Sequence, residues 1–237
     1  GQDFTVRTLT NALAQEKLAH AFLFTGIRGV GKTTIARIMA MGVNCETENK
    51  PTANPCGICS NCKAILQDRY EDVLEIDAAS NTGVDDVREI ISSLKYRPSK
   101  GNYKVFIIDE VHMLSNSAFN ALLKTIEEPP SFVKFIFCTT EMQKIPITIV
   151  SRCQKYNLNR VTLTAISNYL EEIAELEKLN ISKEAIAVIA RNSEGSIRDS
   201  LTILDQCILS FNNENIDVES VNQTIGLTSQ SFLLDLY

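Results

Sequence analysis

The chain has 237 residues, 44% of them hydrophobic and 22% charged, with a formal net charge of −6. This length can bury one large domain, or one domain and a smaller one. No apolar run reaches the roughly 18 residues that a membrane-spanning helix needs, and the stretch from Phe4 to Leu18 is too polar for the core of a signal peptide. The negative charge excludes a broadly basic nucleic-acid surface, so any contact with DNA has to be local or shared among subunits.

The cysteines indicate the compartment in which the protein works. Seven cysteines occur without a secretory segment. We therefore expect a reducing cytoplasm, where clustered thiols bind metals more often than they form disulfides. Because the chain opens at Gly1 and stops at Tyr237 inside an apolar run, we also expect it to be a piece of a longer protein.

A phosphate-binding loop is the first functional motif along the chain. Ala21 to Thr25 predicts a buried strand and Thr34 to Met41 a helix, and the segment between them fits G-x-x-x-x-G-K-[ST]. Its glycines let backbone N–H groups face phosphate oxygens, and the helix N-terminus adds positive potential. We predict a nucleotide site made of Gly26, Gly29, Val30, Gly31, Lys32, Thr33 and Thr34. By resemblance to P-loop ATPases, Lys32 would neutralise the β- and γ-phosphates of ATP and Thr33 would ligate Mg²⁺.

Four cysteines then form the pattern C-x10-C-x2-C-x2-C: Cys45, Cys56, Cys59 and Cys62. Such spacing lets four thiolates converge on one tetrahedral ion, and it predicts a structural zinc site because no position is left open for water. Buried or disulfide-bonded cysteines are the alternative. The other three cysteines, Cys138, Cys153 and Cys207, stand in apolar or helical surroundings and are interpreted as core residues.

Alternating strands and helices follow as far as about Arg160. Strands are predicted at Val73–Ile76, Val105–Ile108 and Phe132–Phe137, and helices over 84–94 and 119–126. The strands are continuous apolar runs, which predicts a parallel sheet covered on both faces. Beyond Arg160 the pattern predicts helices only, over 162–179, 183–190, 195–209 and 218–225. The fold class is therefore α/β, followed by a small helical domain.

Two acids end the strand that contains Val105. Asp109 and Glu110 would lie at the carboxyl edge of the sheet, beside the phosphate-binding loop. There Asp109 can organise the Mg²⁺ shell and Glu110 can orient the attacking water. A solvated acidic turn is the alternative, which the upstream P-loop disfavours. His112 is interpreted as a structural neighbour of Glu110 and not as a base.

Taken together, these motifs resemble the gamma/tau family of bacterial DNA polymerase III subunits, the ATPases of the sliding-clamp loader in the AAA+ superfamily. The resemblance rests on the P-loop, the cysteine insertion, Ile108-Asp-Glu-Val-His-Met-Leu114, Leu122-Leu-Lys-Thr-Ile-Glu-Glu-Pro-Pro130 and Ser151-Arg-Cys153, and it runs from Gly1 to beyond Arg198. Delta-prime subunits typically have a degraded P-loop, and eukaryotic clamp-loader subunits lack the cysteine insertion.

The resemblance assigns three further roles. Thr140, with Thr139 as the near alternative, would sense the γ-phosphate from the end of the last core strand. Arg152 would be an arginine finger that acts in trans on the ATP of a neighbouring subunit, and Arg198 would couple the helical lid to the nucleotide. The resemblance also implies three domains: an AAA+ core over 1–160 with a zinc module at about 45–62, a helical lid over 161–226, and the start of a collar domain over 227–237.

The function implied is ATP hydrolysis that drives loading of the sliding clamp onto primer–template DNA. Partners would be other clamp-loader subunits (gamma/tau, delta and delta-prime), the clamp and the DNA, and no membrane. A polymerase label would belong to the holoenzyme, because nothing in this chain resembles a polymerase site. The alternatives are another AAA+ machine, such as a branch-migration helicase motor, and a scaffold subunit that binds nucleotide without hydrolysing it.

Contacts with DNA are less defined by the sequence. In clamp loaders, helix N-termini track the duplex phosphates. The candidates here are Asn81-Thr-Gly83 and Ser115-Asn-Ser117. A local basic patch is formed by Lys95, Arg97, Lys100 and Lys104, and an ordinary solvated loop explains that patch equally well.

Overall fold

The computed structural model describes residues 1–48, 50–80, 83–211 and 215–226, and it leaves out the side chains of Asp85 and Asp86. The predicted collar segment 227–237 and the Asn81-Thr82 helix start lie outside the described residues. The chain separates into two compact units. The larger unit holds residues 2–26 and 31–158, and the smaller one holds Gly1, Ile27–Val30 and the described residues from Asn159 onward.

The larger unit alternates helices and strands. In chain order these are α1 (Asp3–Ala14), β1 (Ala21–Thr25), α2 (Lys32–Asn44), α3 (Ser60–Leu66), β2 (Val73–Asp77), α4 (Val84–Ser93), β3 (Lys104–Asp109), α5 (Asn116–Glu127), β4 (Val133–Thr139), α6 (Ile147–Val150) and β5 (Gln154–Asn157). Short 3-10 turns, Val111–Met113 and Met142–Lys144, come after β3 and β4.

The strands form one parallel sheet in the order β2-β3-β4-β1-β5, which confirms the predicted α/β fold. Every residue of the central strand β4 is buried, which explains its almost continuous apolar sequence. The order places β4 between β1 and β3. The loop after β1 and the acids after β3 therefore lie at the same carboxyl edge, separated by one strand, where parallel α/β sheets bind their ligands.

The edge strand β5 has no counterpart among the predicted strands. Of its residues Gln154–Asn157 only Tyr156 is buried, and that ring packs on Phe24 at a centroid distance of 5.6 Å. A four-residue edge strand with one inward side chain lacks the apolar run that reveals a buried strand. Helix α1 was also not predicted, although Thr5, Leu9 and Leu13 form its buried face.

The smaller unit is helical in its described part, as predicted. It contains α7 (Leu163–Leu176), α8 (Lys183–Asn192), α9 (Ile197–Phe211) and α10 (Val218–Ile225). Thr162, Ser182 and Asp217 cap α7, α8 and α10 by accepting a backbone N–H, as short polar N-cap residues do. The helices share an apolar core that includes Leu170, Ile186, Ile189, Leu204 and Val221.

Among the described residues, no helix combines the length and the apolar character that crossing a membrane requires.

Candidate nucleotide and metal sites

The phosphate-binding loop leads directly into α2. Gly31 is the N-cap residue of this helix and adopts the left-handed conformation (φ 96°), which a residue with a Cβ rarely takes. Lys32 is only 5% exposed, and its ammonium donates to the carbonyl oxygen of Gly26 at 3.0 Å. Thr34, also predicted to bind the nucleotide, is exposed in the first turn of α2. The lysine charge is thus held over the loop at a helix N-terminus, where an anion is favoured.

Thr33 and Asp109, the two predicted Mg²⁺ ligands, are in direct contact. The Thr33 hydroxyl donates to Oδ2 of Asp109 at 2.7 Å, although 76 positions separate the residues in sequence. The other carboxylate oxygen of Asp109 accepts the backbone N–H of Glu110 at 2.9 Å. A hydroxyl and a carboxylate side by side are oxygen ligands of the kind that Mg²⁺ takes in nucleotide sites. These residues therefore fit the metal that the P-loop implies.

Glu110 and Thr140 also come together. Oε2 of Glu110 accepts the Thr140 backbone N–H at 3.2 Å and the Thr140 hydroxyl at 3.1 Å. Glu110 itself has left-handed backbone angles (φ 44°, ψ 44°), a conformation that costs a non-glycine residue about 1–2 kcal/mol. Thr139, the alternative to Thr140, is fully buried, and its hydroxyl oxygen accepts the Glu141 N–H at 3.0 Å. Of the two threonines, Thr140 is therefore the one that meets the acid.

The two predicted arginines lie in different units. Arg152 follows α6 in the larger unit, where its guanidinium pairs with Glu127 at 2.7 Å and donates to the Thr148 carbonyl at 2.7 Å. Arg198 is exposed in the first turn of α9 in the smaller unit. There its backbone N–H lies 3.4 Å from the carbonyl oxygen of Gly29, which also accepts the Ile197 N–H at 3.1 Å.

An ion pair on α2 was not predicted. Arg37, one turn after Thr33, donates two hydrogen bonds to Glu75 of β2, at 2.6 and 2.7 Å. These hydrogen bonds to the Glu75 carboxylate are the main cause that raises the pKa of Arg37. The pair fastens the helix that carries Lys32 and Thr33 to the edge of the sheet. The sequence contains one sign of this ion pair. Arg37 comes four residues after Thr33 and therefore lies on the same face of the helix.

The four predicted cysteine ligands converge. The sulfur atoms of Cys45, Cys56, Cys59 and Cys62 all lie within 4.8 Å of one another. A tetrahedral zinc ion with Zn–S bonds of about 2.3 Å places its sulfur ligands roughly 4 Å apart, so the size of this donor set suits such a site. The tight turn passes through Gly57, whose φ of 69° is in the left-handed region that favours glycine. A Cβ atom at this position would meet no neighbouring atom, so the backbone conformation alone explains the glycine.

Backbone N–H groups point at these sulfur atoms. Cys56 donates to Cys45 at 3.4 Å, Cys59 to Cys56 at 3.3 Å and Cys62 to Cys59 at 3.4 Å. Burial raises the pKa of the Cys45 thiol, but hydrogen bonds from Cys56 and Thr47 outweigh that effect and lower it to about 6. Burial raises the pKa of Cys62, and the neighbouring Cys59 and Cys45 raise it further. The hydrogen bonds to Cys45 therefore favour its thiolate, whereas the surroundings of Cys62 favour its thiol.

The cysteines outside the cluster, the basic patch and the predicted helix start at Ser115 lie apart from these two sites in the sequence. Cys138, Cys153 and Cys207 are buried, which confirms their interpretation as core residues. Of the basic patch, Lys95, Arg97 and Lys100 are exposed, whereas the ammonium of Lys104 donates to the Ser93 carbonyl at 2.9 Å. Ser115 caps α5 by accepting the Ala118 N–H.

Comparison with solved structures finds proteins that share this fold. The RuvB Holliday junction branch migration motor of Thermotoga maritima matches with a TM-score of 0.66 over 96% of this chain and 69% of that chain. The sequences are 21% identical, so the likeness concerns the fold alone.

Sequence comparison gives the family. The model for the DNA polymerase III delta subunit matches residues 1–162, and that for the DNA polymerase III clamp loader subunit ATPase lid domain matches residues 165–213. The chain is 48% identical over 233 residues to DNA polymerase III subunit tau of Bacillus subtilis, and 44% identical over 234 residues to subunit gamma of Buchnera aphidicola. The match with the Bacillus protein includes 98% of this chain and 41% of that protein. The match with the Buchnera protein includes 99% of this chain and 62% of that protein. The chain belongs to the family of DNA polymerase III clamp-loader subunits, of the gamma/tau type.

Proposed function

We propose that this chain is the ATP-binding and hydrolysing part of a clamp-loader motor subunit, which drives a sliding clamp onto primer–template DNA within the DNA polymerase III holoenzyme. The observation that carries the proposal is the contact of Thr33 with Asp109 at 2.7 Å, beside a complete phosphate-binding loop. Membership of the DNA polymerase III clamp-loader family supports the proposed role in clamp loading. Because the chain covers only part of its relatives, the activity and the partners are proposed for the whole protein.

In this proposal each residue near the loop has one task. The loop N–H groups and Lys32 bind the β- and γ-phosphates of ATP, as P-loop residues do. Thr33 and Asp109 would hold Mg²⁺, which would supply positive charge to offset that of the phosphates. Glu110 orients the attacking water and accepts its proton, and Thr140 holds Glu110 while sensing the γ-phosphate.

The two arginines would link turnover to assembly. Arg152 is exposed on the larger unit, with 37% of its side chain accessible, and it would reach the ATP of a neighbouring gamma/tau, delta or delta-prime subunit. Surface ion pairs such as that with Glu127 contribute only about 0–1 kcal/mol, so Arg152 can be released at small cost. Arg198 would couple the helical lid, over 161–226, to the nucleotide held by the AAA+ core over 1–160. Residues 227–237 would begin the collar domain that holds subunits together.

The cysteine cluster would hold a structural zinc ion with no catalytic task. All four protein ligands are sulfur, which leaves no position for water or substrate. In the reducing cytoplasm that we propose for this protein, cysteine thiols stay available as zinc ligands.

The proposal is tested on the assembled complex of full-length subunits. ATP turnover is measured with and without primed DNA and clamp, and stimulation by the two together is expected. Stimulation by branched DNA and not by the clamp would favour a branch-migration motor instead. ATP binding without turnover under every condition would favour a scaffold subunit.

A further inference from the structure

His112 lies in the 3-10 turn that follows Glu110, and both of its ring nitrogens face oxygen atoms. Nδ1 is 3.3 Å from Oε2 of Glu110 and 3.0 Å from the hydroxyl of Thr139. Nε2 is 3.3 Å from Oε1 of Glu141. Only 7% of the histidine side chain is exposed, so its polar contacts are made inside the protein.

We propose that His112 is a positioning residue for Glu110: its Nδ1 edge holds the Glu110 carboxylate against Thr140, while Glu141 fixes the ring from the opposite side. The inference rests on the proposed ATPase function, in which Glu110 addresses the attacking water. His112 itself touches neither nucleotide nor water in this scheme, and it acts only through the carboxylate.

The contacts of Glu110 explain why a third partner matters. The Thr140 N–H, the Thr140 hydroxyl and the Nδ1 edge of His112 all approach the same oxygen, Oε2. Because all three groups approach Oε2, we assign the other carboxylate oxygen of Glu110, Oε1, to the attacking water. A glutamate side chain has three rotatable bonds, and a displacement of about 1 Å at a catalytic group can cost roughly 100-fold in rate. Contacts with Glu110 from two directions restrict that rotation better than the contacts with Thr140 alone.

Glu141 is a suitable anchor for the far side of the ring. Its Oε1 accepts a hydrogen bond from Lys144 at 2.7 Å, which is the main cause that lowers the pKa of Glu141 and keeps it ionised. Its backbone N–H donates to the Thr139 hydroxyl, the same oxygen that Nδ1 approaches. Thr139, Thr140 and Glu141 are consecutive, so the end of β4 fixes His112 and Glu110 together.

Three substitutions separate the two edges of the ring. In His112→Asn the amide nitrogen takes roughly the place of Nδ1, and in His112→Gln it reaches roughly the place of Nε2. His112→Phe keeps a ring of similar shape and has neither nitrogen. In the assembled full-length complex we expect His112→Phe and His112→Gln to lower kcat about 10- to 100-fold, with KM for ATP and affinity for ADP unchanged. His112→Asn is expected to retain most of the native kcat.

Two controls keep this test distinct from that of the ATPase itself. Thermal unfolding of each variant reports structural damage, and equal kcat for Asn and Gln, or a loss that follows the melting temperature, would overturn the inference. Glu110→Gln is measured in parallel. If it is inactive while His112→Phe is fully active, only the role of His112 is wrong, whereas native turnover of Glu110→Gln would overturn the proposed function as well.

Discussion

Lys32 precedes Thr33 in the sequence and Glu110 follows Asp109, and the two side chains have different environments. Lys32 is 5% exposed and curls over the loop to Gly26. Glu110 has 27% of its side chain exposed and hydrogen-bonds to Thr140, at the end of another strand. These environments agree with the separate tasks proposed above, phosphate binding for Lys32 and orientation of the attacking water for Glu110.

Substitutions at these two positions should affect different steps. Lys32→Ala is expected to abolish productive ATP binding, because it removes the positive charge that we propose binds the β- and γ-phosphates. Glu110→Gln is expected to keep nucleotide affinity and to lower kcat at least about 100-fold, since it removes only the proton acceptor. Fluorescent-nucleotide titration and steady-state turnover in the assembled complex measure the two effects.

A matched control for Lys32 is the exposed Lys17, whose replacement by alanine should change neither quantity. Turnover of Glu110→Gln at the native rate would show that another group activates the water. Tight ATP binding by Lys32→Ala would show that the loop N–H groups suffice.

Beyond single residues, the segment before β3 depends on one buried acid. Asp72 is 2% exposed and accepts the backbone N–H groups of Ser99, Lys100 and Gly101 at 2.8 to 3.0 Å. Burial by itself raises the pKa of this carboxyl group, but the three N–H donors outweigh burial and hold it below the ordinary value. The turn that carries Lys100 is thus tied to the start of β2.

Replacement of Asp72 by asparagine should destabilise the fold by about 1–3 kcal/mol at pH 7, because the charged acceptor and one of its bonding sites are lost. Since the folded pKa is depressed, this contribution is present above the unfolded pKa of about 3.9 and disappears as the pH falls through the folded value. Urea unfolding at pH 7 and pH 3 measures the difference. Glu71→Gln, at the exposed neighbour, should change stability little at either pH, and an equal loss at both positions would contradict the assignment.

The cysteine module is the second element with a testable role. It is joined to α2 by the side chain of Asn61, which donates to the Asn44 carbonyl at 2.9 Å. The Asn44 side chain in turn exchanges two hydrogen bonds with the backbone of Tyr103, both at 2.9 Å. The module therefore braces the far end of α2, about 12 residues or 18 Å along the helix from Lys32, at 1.5 Å per residue.

One zinc ion per chain should co-purify, and Cys59→Ser should lower the melting temperature by loosening the module. Nucleotide affinity should be retained, because the phosphate-binding loop lies at the opposite end of α2. Elemental analysis and differential scanning fluorimetry measure the two effects, with the buried, non-cluster Cys207→Ser as a control that leaves the metal content unchanged. A stoichiometric assay that finds no metal, with all seven thiols free under reducing conditions, would rule the site out.

For the whole molecule, turnover should depend on assembly. Arg152 is exposed and paired with Glu127 on the surface of the larger unit, as expected of a group that serves a neighbouring subunit. In the full-length complex, Arg152→Ala should lower DNA-stimulated turnover roughly 1,000-fold while nucleotide affinity stays nearly native. Turnover is measured in complexes that mix Arg152→Ala with Glu110→Gln subunits, where partial recovery is expected at interfaces that retain both native residues.

The control for this mixing experiment is Glu127→Gln, which breaks the same ion pair and leaves the arginine in place. It should turn over ATP at the native rate or faster. If a dilute and demonstrably monomeric chain hydrolyses ATP at the assembled rate, Arg152 does not act in trans.

Local patterns in the sequence predicted the class of this protein. The glycine loop, the acids after an apolar strand and the four-cysteine spacing each place chemically specific residues within a short segment, where chain geometry leaves few alternatives. The continuous apolar strands predicted the parallel sheet for the same reason, since a strand buried on both faces tolerates few polar residues. The short edge strand β5 has one buried side chain and was missed.

Contacts between distant segments could not be predicted in this way. That Thr33 meets Asp109, that Thr140 and not Thr139 meets Glu110, and that Arg37 pairs with Glu75 all depend on the order β2-β3-β4-β1-β5 and on the strand register. A shift of one residue would turn each side chain to the other face of the sheet. The surroundings of His112 depend on the same register, because its partners come from the ends of two neighbouring strands. The sequence alone thus determined which chemical groups the protein carries, while tertiary packing determined which of them touch.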